Sequence, residues 1–135
     1  MDTLSPEGRS HRMSLVRSKD TRPEMHVRRL VYSLGHRYRL HAKDLPGKPD
    51  LVFRSRRQVI FVHGCFWHRH RGCVRTRLPK SKLAFWQPKL EANRKRDIQT
   101  KRRLTRMGWR YLVVWECELS NEMRVAQRIR QFLGD

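Results

Sequence analysis

The stretch Asp50-Leu-Val-Phe-Arg-Ser-Arg-Arg-Gln-Val-Ile-Phe-Val-His63 decides the fold of this chain. It contains two short apolar runs on either side of the polar stretch Arg54 to Arg57. Runs rich in β-branched and aromatic residues that flank a polar turn are typical of a β-hairpin. We therefore predict one strand over Asp50 to Phe53 and a second over Gln58 to His63.

The residues before this hairpin predict a helix and a short strand. Thr21-Arg-Pro-Glu24 has the form of a capping box, and apolar residues follow it at helical spacing. A helix is expected over residues 22–35, where Gly35 ends it. A short strand over Tyr38 to Leu40 and a loop over Leu45 to Pro49 then lead to the hairpin.

The residues after the hairpin predict two further helices around a buried strand. Leu83 to Met107 is a long, mostly basic helical stretch with few apolar positions, among them Trp86, Leu90 and Leu104. Trp109 to Trp115 is typical of a buried strand, and Ser120 is expected to cap a last helix. The order of elements predicts an α/β fold in which a mixed sheet is flanked by helices.

Length and charge limit the functional classes. The 135 residues contain no repeat or Ser/Gly-rich linker, so we expect one domain over residues 21–135, preceded by a basic arm over residues 1–20. Lys and Arg number 32 against 12 Asp and Glu, a formal charge of +20 that favours a nucleic-acid partner over a ribosomal or membrane-surface role. No apolar run is long enough to cross a membrane and the first ten residues resemble no signal segment, so the expected location is the cytoplasm.

Three cysteines and one histidine form a candidate zinc site. Cys65, His70 and Cys73 have the spacing Cys-x4-His-x2-Cys, and Cys117 follows the predicted strand that ends at Trp115. Such a set gives tetrahedral zinc four ligands and leaves no open position, which indicates a structural metal. Chance proximity of buried cysteines is the alternative, and three other histidines compete as ligands: His41, His63 and His68.

A second constellation suits a divalent cation. Asp50 and the backbone carbonyl of Val62 are oxygen ligands expected at one end of the hairpin, beside His63. His68 is a candidate base because its ordinary pKa lies near 6.5. Glu24 can hold metal-bound water. Each residue also has a structural explanation: Asp50 as a turn cap, His63 as the partner of a buried carbonyl, and Glu24 as the capping-box partner of Thr21.

Several segments together resemble the very short patch repair (Vsr) endonuclease family over nearly the whole chain. They are Leu45 to Asp50, Val62-His-Gly-Cys-Phe-Trp-His68, Phe85-Trp86, Asn93, Arg96-Asp97, and Gly108-Trp109 through Val114-Trp-Glu-Cys117. The resemblance implies a restriction-endonuclease-like fold, a variant of the PD-(D/E)xK nucleases with Phe61-Val62-His63 in place of the usual acidic and lysine pair. It also implies magnesium-dependent nicking of one strand at a thymine–guanine mismatch.

The resemblance implies roles for particular residues. Asp50 would bind magnesium, His68 would activate water, and His63 and Glu24 would support the site. The zinc ligands would be Cys65, His70, Cys73 and Cys117.

Contacts with DNA are also implied. Phe66 and Trp67 would wedge into the duplex, Met13 would enter from the other groove, and Lys89 and Asn93 would contact a groove. Core packing is the alternative for the two aromatic residues, and contact with phosphate or solvent is the alternative for the last two.

Two features of the sequence depart from the family. Arg71-Gly72 changes the length of the loop between Cys65 and Cys73, and Val62 lacks the hydroxyl of the threonine found in some members.

Three functional hypotheses follow: a mismatch-nicking repair enzyme, a related nuclease of altered specificity in restriction or defence, and a zinc-stabilised DNA-binding module without catalysis. We expect a monomer that acts on double-stranded DNA, with mismatch-repair proteins and a cytosine methyltransferase as partners implied by the family.

Overall fold

The computed structural model describes residues 20–78 and 81–134. The predicted arm therefore lies outside the described residues, apart from Asp20, and so does Met13. In chain order the helices and strands are α1 (Arg22–Ser33), β1 (Arg39–Leu40), β2 (Leu51–Phe53), β3 (Gln58–His63), α2 (Leu83–Arg106), β4 (Arg110–Trp115) and α3 (Glu122–Leu133).

The four strands form one mixed sheet in the order β1-β2-β3-β4. The predicted hairpin is confirmed, because β2 pairs antiparallel with β3 and Leu51 lies opposite Ile60. β4 adds to β3 in parallel, with His63 opposite Trp115. The long helix α2 makes the crossover that a parallel pair requires. The expectation of an α/β fold with a mixed sheet is therefore confirmed.

Two predicted helix ends differ from the structure. α1 ends at Ser33, and Leu34 and Gly35 form the turn that follows it, with a positive φ of 92° at Gly35. The prediction that Ser120 caps the last helix is wrong, because a 3-10 turn over Glu116–Ser120 extends the connection after β4. Asn121 caps α3 instead, its side chain accepting the backbone N–H of Arg124 at 3.3 Å.

The sheet buries apolar side chains on both faces. On one face the core includes Val27 of α1, Ile60 of β3 and Ile129 of α3. On the other face it includes Phe61 of β3 and Leu104 of α2. Because successive side chains of a strand point to opposite faces, the odd-numbered positions of β3 face α2. That alternation directs His63 to the α2 side of the sheet.

The loop between β1 and β2 packs against α2 through a glycine. Gly47 has a φ of +74°, which favours glycine, and a Cβ there would collide with the side chain of Thr100 and lie 3.2 Å from Phe61. Since Asp50 follows only three residues later, this close approach fixes the loop that delivers Asp50 to the sheet.

We expect Gly47→Ala to lower the free energy of unfolding by about 2–4 kcal/mol, since backbone strain and overpacking add together. Urea unfolding measures the effect. Gly35→Ala is the matched control, because its φ is also positive but a Cβ would meet nothing within 4 Å. It should lose only about 1 kcal/mol. Equal losses in the two variants would show that the contact with Thr100 does not constrain the loop.

Candidate active site and metal centre

The candidate active site lies where β2 begins and β3 ends. Asp50 immediately precedes β2, and its Oδ2 accepts the backbone N–H of Val62 at 2.6 Å. The hairpin therefore brings Asp50 and the backbone of Val62 together, as the sequence predicts. His63, the last residue of β3, is next to this contact along the chain and is buried.

Glu24 adds a second carboxyl group to this place. Its backbone N–H donates to Thr21 Oγ1 at 3.3 Å, which is the predicted N-cap contact. Its carboxyl group is only 2 % exposed and accepts hydrogen bonds from Arg28 and from His41 Nε2, the latter at 2.7 Å. The capping box alone therefore does not account for Glu24, because its side chain lies in the site.

The environment of Asp50 opposes a bare negative charge. Burial is the main cause that raises the pKa of Asp50, to about 7, and the neighbouring Glu24 carboxyl group raises it further. The amide of Val62 opposes both effects by stabilising the ionised form. Two neighbouring carboxyl groups, that of Glu24 buried and that of Asp50 partly buried, form an oxygen-rich donor set of the kind that hard divalent cations bind.

Two histidine rings lie face to face beside these carboxyl groups. The rings of His63 and His68 are stacked, with centroids 3.8 Å apart and an interplanar angle of 4°. Burial, with smaller contributions from the neighbouring His68 and Lys101, holds the pKa of His63 well below its ordinary value. His63 is therefore neutral at physiological pH, and its buried Nδ1 finds no hydrogen-bond partner among the described residues.

His68 is oriented by a carboxylate that the sequence reasoning did not single out. Its Nδ1 donates to Asp97 Oδ2 at 2.7 Å, which leaves Nε2 with the free lone pair. Four residues earlier on α2, Asn93 Nδ2 donates to the carbonyl oxygen of Trp67 at 3.3 Å. Residues four apart lie on the same face of a helix. The spacing of Asn93 and Asp97 is therefore a signal in the sequence that one face of α2 contacts the loop after β3 at two points.

The four predicted zinc ligands lie together in the structure. The ligand atoms of Cys65, His70, Cys73 and Cys117 are all within 4.8 Å of one another, so the cluster can hold a zinc ion. The imidazole of His70 stacks on Trp115 at a centroid distance of 4.1 Å. The three competing histidines belong to other groups: His63 and His68 lie with Asp97, and His41 lies with Asp20 and Glu24.

Aromatic side chains form a half-buried cluster beside the histidines. Phe66 and Trp67 contact each other at 5.2 Å between ring centroids, and both contact Trp86 of α2, at 5.6 and 5.7 Å. The sequence predicted Trp86 only as a helix core position. Phe85 is exposed next to it, and Lys89 Nζ lies 4.5 Å from its ring centroid. None of the three clustered rings is fully buried.

Comparisons with known proteins agree with this architecture. Residues 1–75 match the family model described as DNA mismatch endonuclease Vsr. The type II nicking enzyme V.XorIIP of Xanthomonas oryzae pv. oryzae is 58% identical over 132 residues, covering 98% of this chain and 96% of the relative. V.NmeAIP of Neisseria meningitidis, also a type II nicking enzyme, is 39% identical over 99% of this chain and 95% of its own length. The DNA mismatch endonuclease Vsr of Escherichia coli is 40% identical, covering 82% and 70%.

The fold is also found in a solved structure. The catalytic domain of the homing endonuclease I-Bth0305I superposes with a TM-score of 0.58 at 19% identity, covering 84% of this chain and 94% of the domain. Fold and relatives together define a strand-nicking DNA endonuclease. The chain belongs to the Vsr DNA mismatch endonuclease family. The relatives named above are bacterial, and among the described residues no helix is long and apolar enough to cross a membrane.

Proposed function

We propose that this protein cuts one strand of duplex DNA in a magnesium-dependent reaction, with the specificity of a type II nicking enzyme. The observation that carries the proposal is the contact of the Asp50 and Glu24 carboxyl groups beside the stacked rings of His63 and His68. The relative that matches at 58% identity over almost all of both chains supports the type II specificity. A thymine–guanine mismatch is the lesion to test first, because the matching family model is that of a mismatch endonuclease.

A second candidate function is general very short patch mismatch repair. The 40% identity to the Escherichia coli mismatch endonuclease favours it. The two functions share the same chemistry and differ in the sequence around the lesion. Under either function, mismatch-repair proteins or a cytosine methyltransferase are proposed partners.

The donor set fits a magnesium ion. Asp50 and the carbonyl oxygen of Val62 would hold it, and Glu24 would hold its water molecules. When bound, magnesium supplies positive charge that offsets the charge developing on the scissile phosphate. Because it also offsets the repulsion between Asp50 and Glu24, its binding would keep Asp50 ionised at neutral pH.

In our proposal His68 performs the proton transfer and His63 holds it in position. His68 takes a proton from the attacking water through Nε2, because its Nδ1 proton is held by Asp97. The carboxylate of Asp97 stabilises the imidazolium that forms. His63 keeps the ring of His68 in one plane by stacking and, being neutral, adds no charge that would oppose protonation of its neighbour.

The aromatic cluster and α2 would engage the duplex next to the cut. Phe66 and Trp67 would insert between base pairs, a step that costs a few kcal/mol of unstacking and costs least at a mismatch. Asn93 would orient this loop through the Trp67 carbonyl and would also reach the groove, as would Lys89. Met13 of the basic arm remains a proposed contact from the opposite groove.

A structural zinc ion would position the base. His68 lies between the ligands Cys65 and His70, so a metal that binds both shortens and stiffens the loop that carries His68. A closed set of four ligands gives zinc no open position for water, so its contribution would be to stability and geometry.

Asp50→Ala should abolish nicking of a mismatched duplex and leave duplex affinity within about threefold, because the substitution removes the proposed metal ligand but no basic residue. The assay compares matched and thymine–guanine-mismatched duplexes, each in several flanking sequences, with magnesium. Asp44→Ala is the control, since Asp44 lies in the same loop region but is exposed and pairs with Arg54. It should nick at the rate of the unaltered protein.

The substrates separate the hypotheses. Nicking of mismatches only within the recognition sequence of a type II enzyme supports the type II proposal. Nicking confined to the sequence that very short patch repair enzymes recognise favours general mismatch repair. Cutting of matched duplexes would show a changed specificity. Binding of every duplex without cleavage would contradict both enzyme proposals and favour a DNA-binding module. Full activity of Asp50→Ala would overturn the assignment of the site.

The purified protein should contain one zinc ion per chain, and Cys117→Ser should lose it together with about 3 kcal/mol or more of stability. Elemental analysis and thermal unfolding measure both effects. Ser120→Ala, in the same 3-10 turn, should keep its zinc although it loses the hydrogen bond from Ser120 Oγ to the Cys117 carbonyl. Stoichiometric zinc in both Cys117→Ser and His70→Ala would contradict the proposed ligand set.

A further inference from the structure

A basic cleft lies at the edge of the sheet, at the end of β2 remote from Asp50. It has a volume of about 590 Å³ and runs between the residues that follow α1, the strand β1 and the turn after β2. Its charged lining consists of four arginines, Arg37, Arg39, Arg54 and Arg56. No aspartate or glutamate is among the residues that line it. We call this feature the arginine cleft.

Most of the charge in the arginine cleft is uncompensated. The Arg37 guanidinium lies 4.1 Å from the ring centroid of Tyr32 and donates to the carbonyl oxygen of His36, both of which are neutral partners. Arg39, on the edge strand β1, is exposed. Among the described residues, neither arginine pairs with a carboxylate.

The other two arginines have structural contacts as well. Arg56 donates to the carbonyl oxygen of Leu133 at the end of α3. Arg54 makes two hydrogen bonds to Asp44, at 2.7 and 3.1 Å, but both side chains are at least half exposed. An exposed ion pair of this kind contributes little and exchanges readily with another anion. Arg54 and Arg56 therefore help to shape the cleft, and Arg37 and Arg39 supply its free charge.

The cleft lies within reach of a duplex that occupies the active site. Asp50 precedes β2 and Phe53 ends it, so the strand separates the two places by about 10 Å at roughly 3.3 Å per residue. B-form DNA covers that distance in about three base pairs, at 3.4 Å each along the axis. The separation is therefore small compared with the length of a bound duplex.

We propose that the arginine cleft binds the phosphodiester backbone of the substrate duplex a few base pairs from the cut, an inference that rests on the proposed function. Arginine is suited to this ligand because its planar fork donates two parallel hydrogen bonds to phosphate oxygens. The contact fixes the position of the enzyme on the duplex and reads no base, since phosphates carry no sequence information.

An acidic peptide is the alternative ligand, and the lining disfavours it. Protein interfaces are anchored by apolar or aromatic side chains that enter pockets, whereas the apolar residues Val52 and Phe53 at the base of the cleft are buried in the two cores of the domain. The polyanion that the charge of +20 and the nicking relatives both indicate is DNA.

The test is the salt dependence of duplex binding by the Arg37→Gln/Arg39→Gln double variant, measured without magnesium so that no strand is cut. If each arginine neutralises one phosphate, the slope of log K against log salt should fall in magnitude by about 1.8, at roughly 0.9 per phosphate. Arg124→Gln/Arg130→Gln is the matched control, because both residues are exposed on α3, neither lines the cleft, and the loss of charge is equal. Its slope should stay within about 0.5 of the original.

A second measurement locates the contact on the DNA. Single phosphates are replaced by neutral methylphosphonates along the duplex. The replacement should weaken binding of the unaltered protein at one or two positions about three base pairs from the cut, and the double variant should be insensitive there. Thermal unfolding of the double variant should be nearly unchanged, because Arg37 and Arg39 are exposed.

Two results would overturn the arginine cleft as a DNA site. One is an equal change of slope in both double variants, which would mean that only net charge matters. The other is unchanged duplex binding together with arginine-dependent binding of a polyglutamate peptide. Failure of the proposed function would give a different result. No form of the protein would then nick DNA, but the binding slopes and the methylphosphonate map could still be measured.

Discussion

The hydrogen bond from the Val62 amide to Asp50 Oδ2, at 2.6 Å, ties the start of one strand to the end of its neighbour. It holds the carboxyl group of Asp50 against that of Glu24, where burial raises the pKa of Asp50 to about 7. Such a contact costs stability in the absence of a cation, because one buried carboxyl group disfavours ionisation of the other. The loop around Gly47, the cap of α1 and the β2–β3 hairpin all converge on it. The fold therefore keeps two carboxyl groups together, as the proposed magnesium site requires.

His68, the proposed base, is held from three sides by elements that are distant in the chain. Stacking on His63 fixes the plane of the His68 ring, and Asp97 of α2 fixes its rotation and tautomer. The cluster of cysteines and His70 constrains the loop on both sides of His68. Catalytic groups act well only when their supporting contacts restrict them to one geometry. The cluster of cysteines and His70, the helix α2 and the sheet thus all contribute to the position of Nε2 of His68.

The hairpin and the ligand cluster could be predicted from the sequence because their signals are local. Apolar runs around a polar turn define β2 and β3, and ligand spacing defines most of the cysteine site. Glu24 was already expected at the site, as a residue that holds metal-bound water. The role of Asp97 was missed for the opposite reason, because it depends on a contact with His68, which is far away in the chain. No periodicity within one segment reports such a pairing.

The arginine cleft illustrates the same limit on a larger scale. In the sequence, Arg54 to Arg57 is a polar turn of a hairpin, and Arg37 and Arg39 are two charges among 32 basic residues. Their significance arises only when the sheet brings β1 beside β2. The wrong cap at Ser120 has a simpler cause, since the 3-10 turn that displaces the start of α3 depends on the 2.8 Å hydrogen bond from the Trp115 amide to Glu118.

The most direct measurement of the central claim is thermal unfolding of the unaltered protein and of Asp50→Asn between pH 5 and pH 8, with and without magnesium. The folded-state pKa of Asp50, about 7, lies above its ordinary value of 3.8, so the folded form binds the proton more tightly and stability should fall as the pH rises toward 7. Asparagine removes that loss, so Asp50→Asn should melt higher than the unaltered protein at pH 8, and the difference should shrink as the pH falls toward 5. Magnesium should raise the melting temperature of the unaltered protein at pH 8 and leave that of the variant unchanged. Parallel pH curves and equal responses to magnesium would contradict the account.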